Sequence, residues 1–95
     1  MTKSDLIDAV AKNAESLTKK QTEVVVETIF DSIKEALTQG DKVEIRGFGN
    51  FRLRKRDARK ARNPKTGVIV DVPAKMVPFF KVGKELSEMV DSHDE

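Results

Sequence analysis

"VEIRGFGNFRLRKRDARKARNPKTGVIVDVP", residues 43–73, begins as a half-buried strand and then changes character twice. From Val43 the apolar side chains alternate with polar ones. Val43 and Ile45 stand against Lys42, Glu44 and Arg46; beyond a turn at "GFG", Phe51 and Leu53 stand against Arg52, Arg54 and Arg56. A period of two with one apolar side is the pattern of a strand resting on a core, so the segment predicts a hairpin. Past Leu53 the apolar side of the alternation stops, because "RKRDARKAR" offers only Ala58 and Ala61. A strand that continues there has nothing to cover and must run into solvent. "NPKTG" then supplies Asn63 to initiate a turn, Pro64 to fix φ and Gly67 for a positive-φ closing position. Val68, Val70 and Val72 mark a returning strand. The simplest reading is a long β-ribbon, approximately residues 54–73, projecting from a body of helices and strands.

The same stretch holds most of the charge asymmetry. Residues 52–67 contain eight Lys or Arg and one acid, Asp57, although the whole chain carries only +2. By block, residues 1–45 sum to −3, residues 46–67 to +8 and residues 68–95 to −3. A concentrated block of one sign attracts polyanions and is screened by salt, which leaves nucleic acid, an anionic membrane or an acidic protein as partner classes. The plain alternative is a solvated charged loop.

Working outward, the first third is helical. Leu6, Ile7, Val10, Ala11 and Ala14 fall on one face at 3.6-residue spacing, after Thr2 or Ser4 as N-cap. Thr18 stands three residues before Gln21, the spacing of a capping box, and opens a second helix. Its stripe runs through Val25, Val26, Ile29, Phe30, Ile33, Ala36 and Leu37, with Gly40 where a C-terminal cap belongs. So wide a stripe needs more cover than one short helix offers, which points to a dimer. At the other end, "FKVGKELSEMV" predicts a short closing helix through Val82, Leu86, Met89 and Val90, followed by an acidic tail at 91–95 that contains the single His, His93.

Ninety-five residues make a single small domain, here 1–95, near the size at which one core is only modestly stable. With no Cys there is neither a disulfide nor a thiolate metal site, and no cluster has zinc or calcium ligand spacing. His93 is the single His, no Cys exists, and the acids lie mostly on polar helix faces, so no catalytic residue is expected. No apolar run approaches the ~18 residues of a membrane span and the start lacks a signal-like apolar region, so a soluble, unexported protein is expected. "RGFGNFRL" begins like an RNA-recognition signature, but Asn50 and Leu53 stand where aromatics are required and two helices precede the first strand. Its glycines fit a turn that sends Phe48 and Phe51 into a core.

Taken together, "GFGNF", "RNPKTG" and "VPFFKVGKEL" resemble the HU and integration host factor family of bacterial DNA-bending proteins, and the resemblance covers essentially the whole chain. It implies an α+β fold, with a helical base, a β-sheet saddle and a long protruding β-ribbon arm, assembled as an intertwined dimer. The arms would reach around DNA through the minor groove. By position, Pro64 is implied as the intercalating wedge at the arm tip, with Arg62, Asn63 and Lys65 beside it; Arg56 and Arg59 as arm cations; and Lys3, Lys81 and Lys84 as body contacts to phosphate. Arg46, Arg52, Arg54, Lys55, Lys60 and Lys75 complete the expected DNA contacts, although Lys75 also fits a solvated strand residue. Phe48, Phe51 and Phe80, with Phe30 and Ile33 of the helical stripe, are the expected core and dimer residues. Ala61 departs from the Gly that family members commonly carry before Arg-Asn-Pro.

The residues support that implication on their own. A groove binder needs cations for phosphates, a slim element and often an apolar wedge, and residues 52–67 supply all three. Lys3 and Lys84 each lie near the start of a predicted helix, where free N–H groups also attract anions. The expected function is a non-enzymatic, largely sequence-independent architectural protein of the bacterial nucleoid, cytoplasmic, that binds and bends double-stranded DNA. Its partner subunit is identical or related, and no membrane, cofactor, metal or small-molecule substrate is expected. Two rivals stand beside it: a sequence-selective subunit of the host-factor type, which reads deformability more sharply, and a basic protein- or membrane-interaction module, which shares only the charge.

Overall fold

The computed structural model describes residues 1–92; His93 and the last two acids of the tail lie outside the described residues. The chain forms two compact units, Met1–Glu35 and a second from residue 36 onward. The first is a pair of helices, α1 (Lys3–Asn13) and the body of α2 (Lys19–Thr38). Of the two expected caps, Thr2 is the one used. Its hydroxyl accepts the Asp5 N–H at 3.2 Å while its own N–H donates to Asp5 Oδ2 at 2.9 Å, a reciprocal capping box. The second box forms as expected, with Thr18 N–H on Gln21 Oε1 at 2.9 Å and Gln21 N–H on Thr18 Oγ1 at 3.1 Å.

Ile7 and Val26 are the buried apolar side chains of this unit, and Thr22 is fully buried as well, its hydroxyl donating to the Thr18 carbonyl at 3.0 Å. Burying two such side chains contributes about 1.5–3 kcal/mol each. Ion pairs Lys3–Glu27 (3.0 Å) and Lys19–Asp8 (3.2 Å) each link the start of one helix to the middle of the other, the register of an antiparallel pair. Both pairs are exposed and add little to stability. With 11 residues α1 rises about 16 Å, roughly half the length of the 20-residue α2. Val25, Ile29 and Phe30 consequently remain exposed, Ile29 by 53%.

The second unit opens on the end of α2. Gly40, at φ 82°, donates to the Leu37 carbonyl at 3.0 Å and Asp41 donates to Ala36 at 2.9 Å, the two bonds of a Schellman cap. A three-stranded antiparallel sheet follows, ordered β1 (Val43–Ile45), β2 (Gly49–Arg56), β5 (Lys75–Val82). The expected hairpin is β1 and β2, closed by Phe48 N–H on the Ile45 carbonyl at 3.0 Å. On one sheet face Phe80 packs between Phe48 and Phe51, with ring centroids 5.2 and 4.8 Å away. Gly49 makes that cluster possible, since a Cβ there would lie 2.5 Å from the Lys81 carbonyl oxygen and 2.6 Å from Phe80 Cζ.

Strand β5 and the start of α3 (Lys84–Ser92) differ from the sequence expectation. Val82 is the last residue of β5, paired with Gly49, and the closing helix begins only at Lys84 and continues through Asp91 and Ser92 of the expected tail. Pro78 inside "KMVPFFKV" argues against a strand by removing a ladder donor. An edge strand tolerates it, and β5 is an edge.

Beyond Arg56↔Lys75 the ladder breaks for two residues on each side and resumes as a separate two-stranded ribbon, β3 (Arg59–Arg62) with β4 (Ile69–Val72). The returning strand is thus regular from Ile69 to Val72, while Val68 belongs to the turn. None of its residues is buried.

Candidate nucleic-acid interface

Alternation along β2 and β5 sorts their side chains onto two faces. One carries Phe51, Leu53 and Lys55 with Met76, Pro78 and Phe80. The other carries Asn50, Arg52, Arg54 and Arg56, with Lys81, Phe79, Val77 and Lys75 respectively paired across from them. Five of the expected site cations therefore share one sheet face: Arg52, Arg54, Arg56, Lys75 and Lys81. Lys55 does not join them; it lies on the aromatic face, opposite Met76. The cationic face also holds an aromatic residue that sequence reasoning missed. The guanidinium carbon of Arg54 lies 4.3 Å from the centroid of the Phe79 ring and that of Arg52 5.8 Å. Period two contained the signal: if Phe80 faces a core, Phe79 must face away from it.

At the ribbon tip the chain reverses through residues 63–68. Asn63 N–H donates to the Val68 carbonyl at 2.9 Å and Gly67 N–H to the Asn63 carbonyl at 2.7 Å. The Asn63 side-chain oxygen accepts from Lys65 N–H at 2.9 Å and Thr66 N–H at 3.4 Å, so Asn63 shapes the turn that surrounds Pro64. Arg62 Nη1 donates to the Gly67 carbonyl at 2.9 Å, across the base of the tip. Gly67 sits at φ 74°, the positive value expected of it. Pro64 and Lys65 stand exposed at the end.

Along the ribbon, Arg59 and Ala61 share a face with Val70 and Val72, and Lys60 and Arg62 share the other with Asp71 and Ile69. Lys60 is partly neutralised there by Asp71, at 3.1 Å. Lys3 is likewise engaged by Glu27. The Glu27 hydrogen bond first, and its charge second, raise the Lys3 pKa above the ordinary lysine value. Arg46 is exposed in the turn between β1 and β2, and Lys84 is the first residue of α3. Lys3 opens α1 and belongs to the helical unit, as do Phe30 and Ile33. Among the described residues no group of His, Asp and Glu is placed to hold a metal, and no helix is long and apolar enough to cross a membrane.

A family model described as bacterial DNA-binding protein matches residues 1–91. DNA-binding protein HU of Staphylococcus aureus (strain COL) is 52% identical over 90 residues, which cover 95% of this chain and 99% of that one. The chain belongs to the HU and integration host factor family of bacterial DNA-binding proteins. Within that family it is also 53% identical over 91 residues to integration host factor subunit beta of Dechloromonas aromatica (strain RCB), covering 96% of this chain and 97% of that one. A solved HU structure, the Anabaena HU–DNA cocrystal, superposes with a TM-score of 0.91 at 46% identity, over 98% of this chain and the whole of that one. The α+β class expected from the resemblance is the one observed, with β2 continuing toward a ribbon as the HU and host-factor reading required.

Proposed function

We propose that this protein is a non-enzymatic architectural factor of the bacterial nucleoid, in the cytoplasm, that binds double-stranded DNA with little dependence on base sequence and bends it. It acts as a dimer of identical or related subunits, each laying a cationic sheet face on the phosphates and sending an arm into the minor groove. The observation that carries this reading is the alignment of Arg52, Arg54, Arg56 and Lys75 on one face of the strands that lead into a ribbon tipped by Pro64.

Each role follows from its chemistry. Cations placed on phosphates release condensed counterions, which gives affinity without base readout. The slim ribbon follows the groove with Arg59 and Arg62. Pro64, rigid, apolar and without an N–H, fills the gap between two unstacked base pairs, and so offsets the few kcal/mol that unstacking costs. Dimerisation accounts for the apolar surface left open by a single chain: Val25, Ile29 and Phe30 on α2, and Phe48, Phe80 and Val82 in the second unit. The near-equal identity to HU and to a host-factor subunit favours one second reading, a sequence-selective subunit that reads DNA deformability. Competition between random and chosen duplexes separates the two.

The test is a gel-shift titration over a range of salt with linear, nicked and pre-kinked duplexes. Affinity should fall steeply with salt and be higher on nicked and kinked DNA, where part of the bending cost is already met. Replacing Arg56, Arg59 and Arg62 together by Ala should flatten the log–log slope by about 0.9 for each phosphate no longer neutralised. An unchanged slope in the triple variant would move the interface off the ribbon.

A further inference from the structure

Phe79 stands on the cationic face of the sheet, directly opposite Arg52 and diagonal to Arg54, while its neighbour Phe80 belongs to the aromatic cluster on the other face. Diagonal cross-strand neighbours lie within reach of long side chains, and here both guanidiniums reach the ring, Arg54 at 4.3 Å from its centroid and Arg52 at 5.8 Å. Three arginines at alternate positions of one strand repel one another, and free arginine side chains sample many rotamers. A carboxylate would hold them in place, but it would also cancel the charge that phosphate binding requires, as Asp71 does at 3.1 Å from Lys60. An aromatic ring attracts the cation through its quadrupole and cancels no charge. A guanidinium is planar with its five N–H donors at its rim, so contact through its flat side leaves the donors available for bidentate phosphate binding. Among the described residues, neither Arg52 nor Arg54 forms an ion pair with an acid.

We propose that Phe79 is a positioning residue for DNA binding: its ring holds Arg52 and Arg54 extended over the sheet, unneutralised, in a pose ready for phosphate. This rests on the duplex-binding reading above and goes further, since it assigns the order of the saddle cations to an uncharged side chain. The entropy of fixing two arginines is then met when the chain folds rather than when DNA arrives. Phe79 supplies no counterion release, so it acts on affinity at every salt concentration and leaves the salt slope alone.

The experiment is a duplex titration by anisotropy at three salt concentrations with the wild-type chain, Phe79→Leu, Phe79→Trp and Arg52→Ala/Arg54→Ala, the last with and without Phe79→Leu. Leu keeps the apolar volume and removes the quadrupole; Trp keeps and strengthens it. The expected result is about two- to fivefold weaker binding by Phe79→Leu with an unchanged slope, wild-type affinity or better for Phe79→Trp, and almost no effect of Phe79→Leu once both arginines are gone. The chain has no Trp of its own, so Phe79→Trp also gives a single fluorophore on the saddle, whose emission should change on binding. Equal loss from Phe79→Leu in both arginine backgrounds would overturn the proposal, because the ring would then act on DNA or on the fold directly. Equal affinity of the Leu variant and the wild type would overturn it as well. Failure of the wild-type chain to bind duplex would instead refute the reading on which it rests.

Discussion

The three-stranded sheet and the two-stranded ribbon are made from the same two runs of chain, yet they are held together in different ways. In the sheet, β2 sets Phe51 against Phe80, Phe48 closes over the pair, and Gly49 lets the backbone of β5 approach. In the ribbon nothing is buried, and order comes from ladder bonds, an Asn63 turn and the Lys60–Asp71 pair. The contrast shows where a change will be felt. Under the proposed function, substitutions on the aromatic face of the sheet act on stability and reach DNA only through the fold, whereas substitutions in the ribbon leave the fold alone and act on binding.

Adding a single carbon in each region puts that contrast under the heaviest strain. Gly49→Ala forces a Cβ to within 2.5 Å of a backbone oxygen in β5 and should lower unfolding free energy by about 2–4 kcal/mol, read as a shifted urea midpoint. Val70→Ile adds its carbon to an exposed side chain of the ribbon and should stay within about 0.5 kcal/mol. Equal effects would mean that the ribbon carries global stability after all.

A smaller effect tests order inside the ribbon. Asn63→Ala removes the acceptor of two tip N–H groups, so hydrogen exchange at Lys65 and Thr66 should quicken by roughly fivefold, equivalent to about 1 kcal/mol of local opening, with the midpoint unmoved. Unchanged exchange would take the turn away from Asn63.

Acid supplies the smallest effect and leaves both β regions aside. Thr2 N–H first, and the Thr2 hydroxyl second, hold the Asp5 carboxyl below its ordinary value of 3.8. A depressed folded-state pKa contributes stability that is full above the unfolded value and is lost as pH falls through the folded one. The first turn of α1 should therefore be indifferent to pH near neutrality and fray progressively below about pH 4, seen in its amide shifts, while Asp5→Asn should abolish that dependence. Fraying that begins at neutral pH would contradict the role given to the capping box.

Much of this arrangement is legible in the residues. The Thr18 capping box, the N-cap of α1 to within Thr2 or Ser4, the Gly40 cap, the β1–β2 hairpin and the loss of apolar alternation after Leu53 are local patterns, and each fixes structure within a few residues of itself. Strand β5 is not legible in that way. Pro78 lacks the N–H of a ladder donor and so argues against a strand, and only the pairing with β2 shows that the segment is one, on which Phe79 and Phe80 face opposite ways. Lys55, by contrast, is placed by local alternation alone: two residues after Leu53 on β2, it falls on the aromatic face, although in sequence it lies amid the other cations.

In the proposed function the ribbon's charge binds while its proline bends. The decisive measurement is end-to-end fluorescence transfer across a doubly labelled duplex, at saturating protein, for the wild-type chain and Pro64→Ala. Pro64 carries no charge, so the variant should keep the salt slope, and it should show clearly lower transfer because the opened base step is no longer filled. Equal transfer for the two proteins would contradict this division of roles and leave Pro64 as a turn residue on an arm that binds through its cations alone.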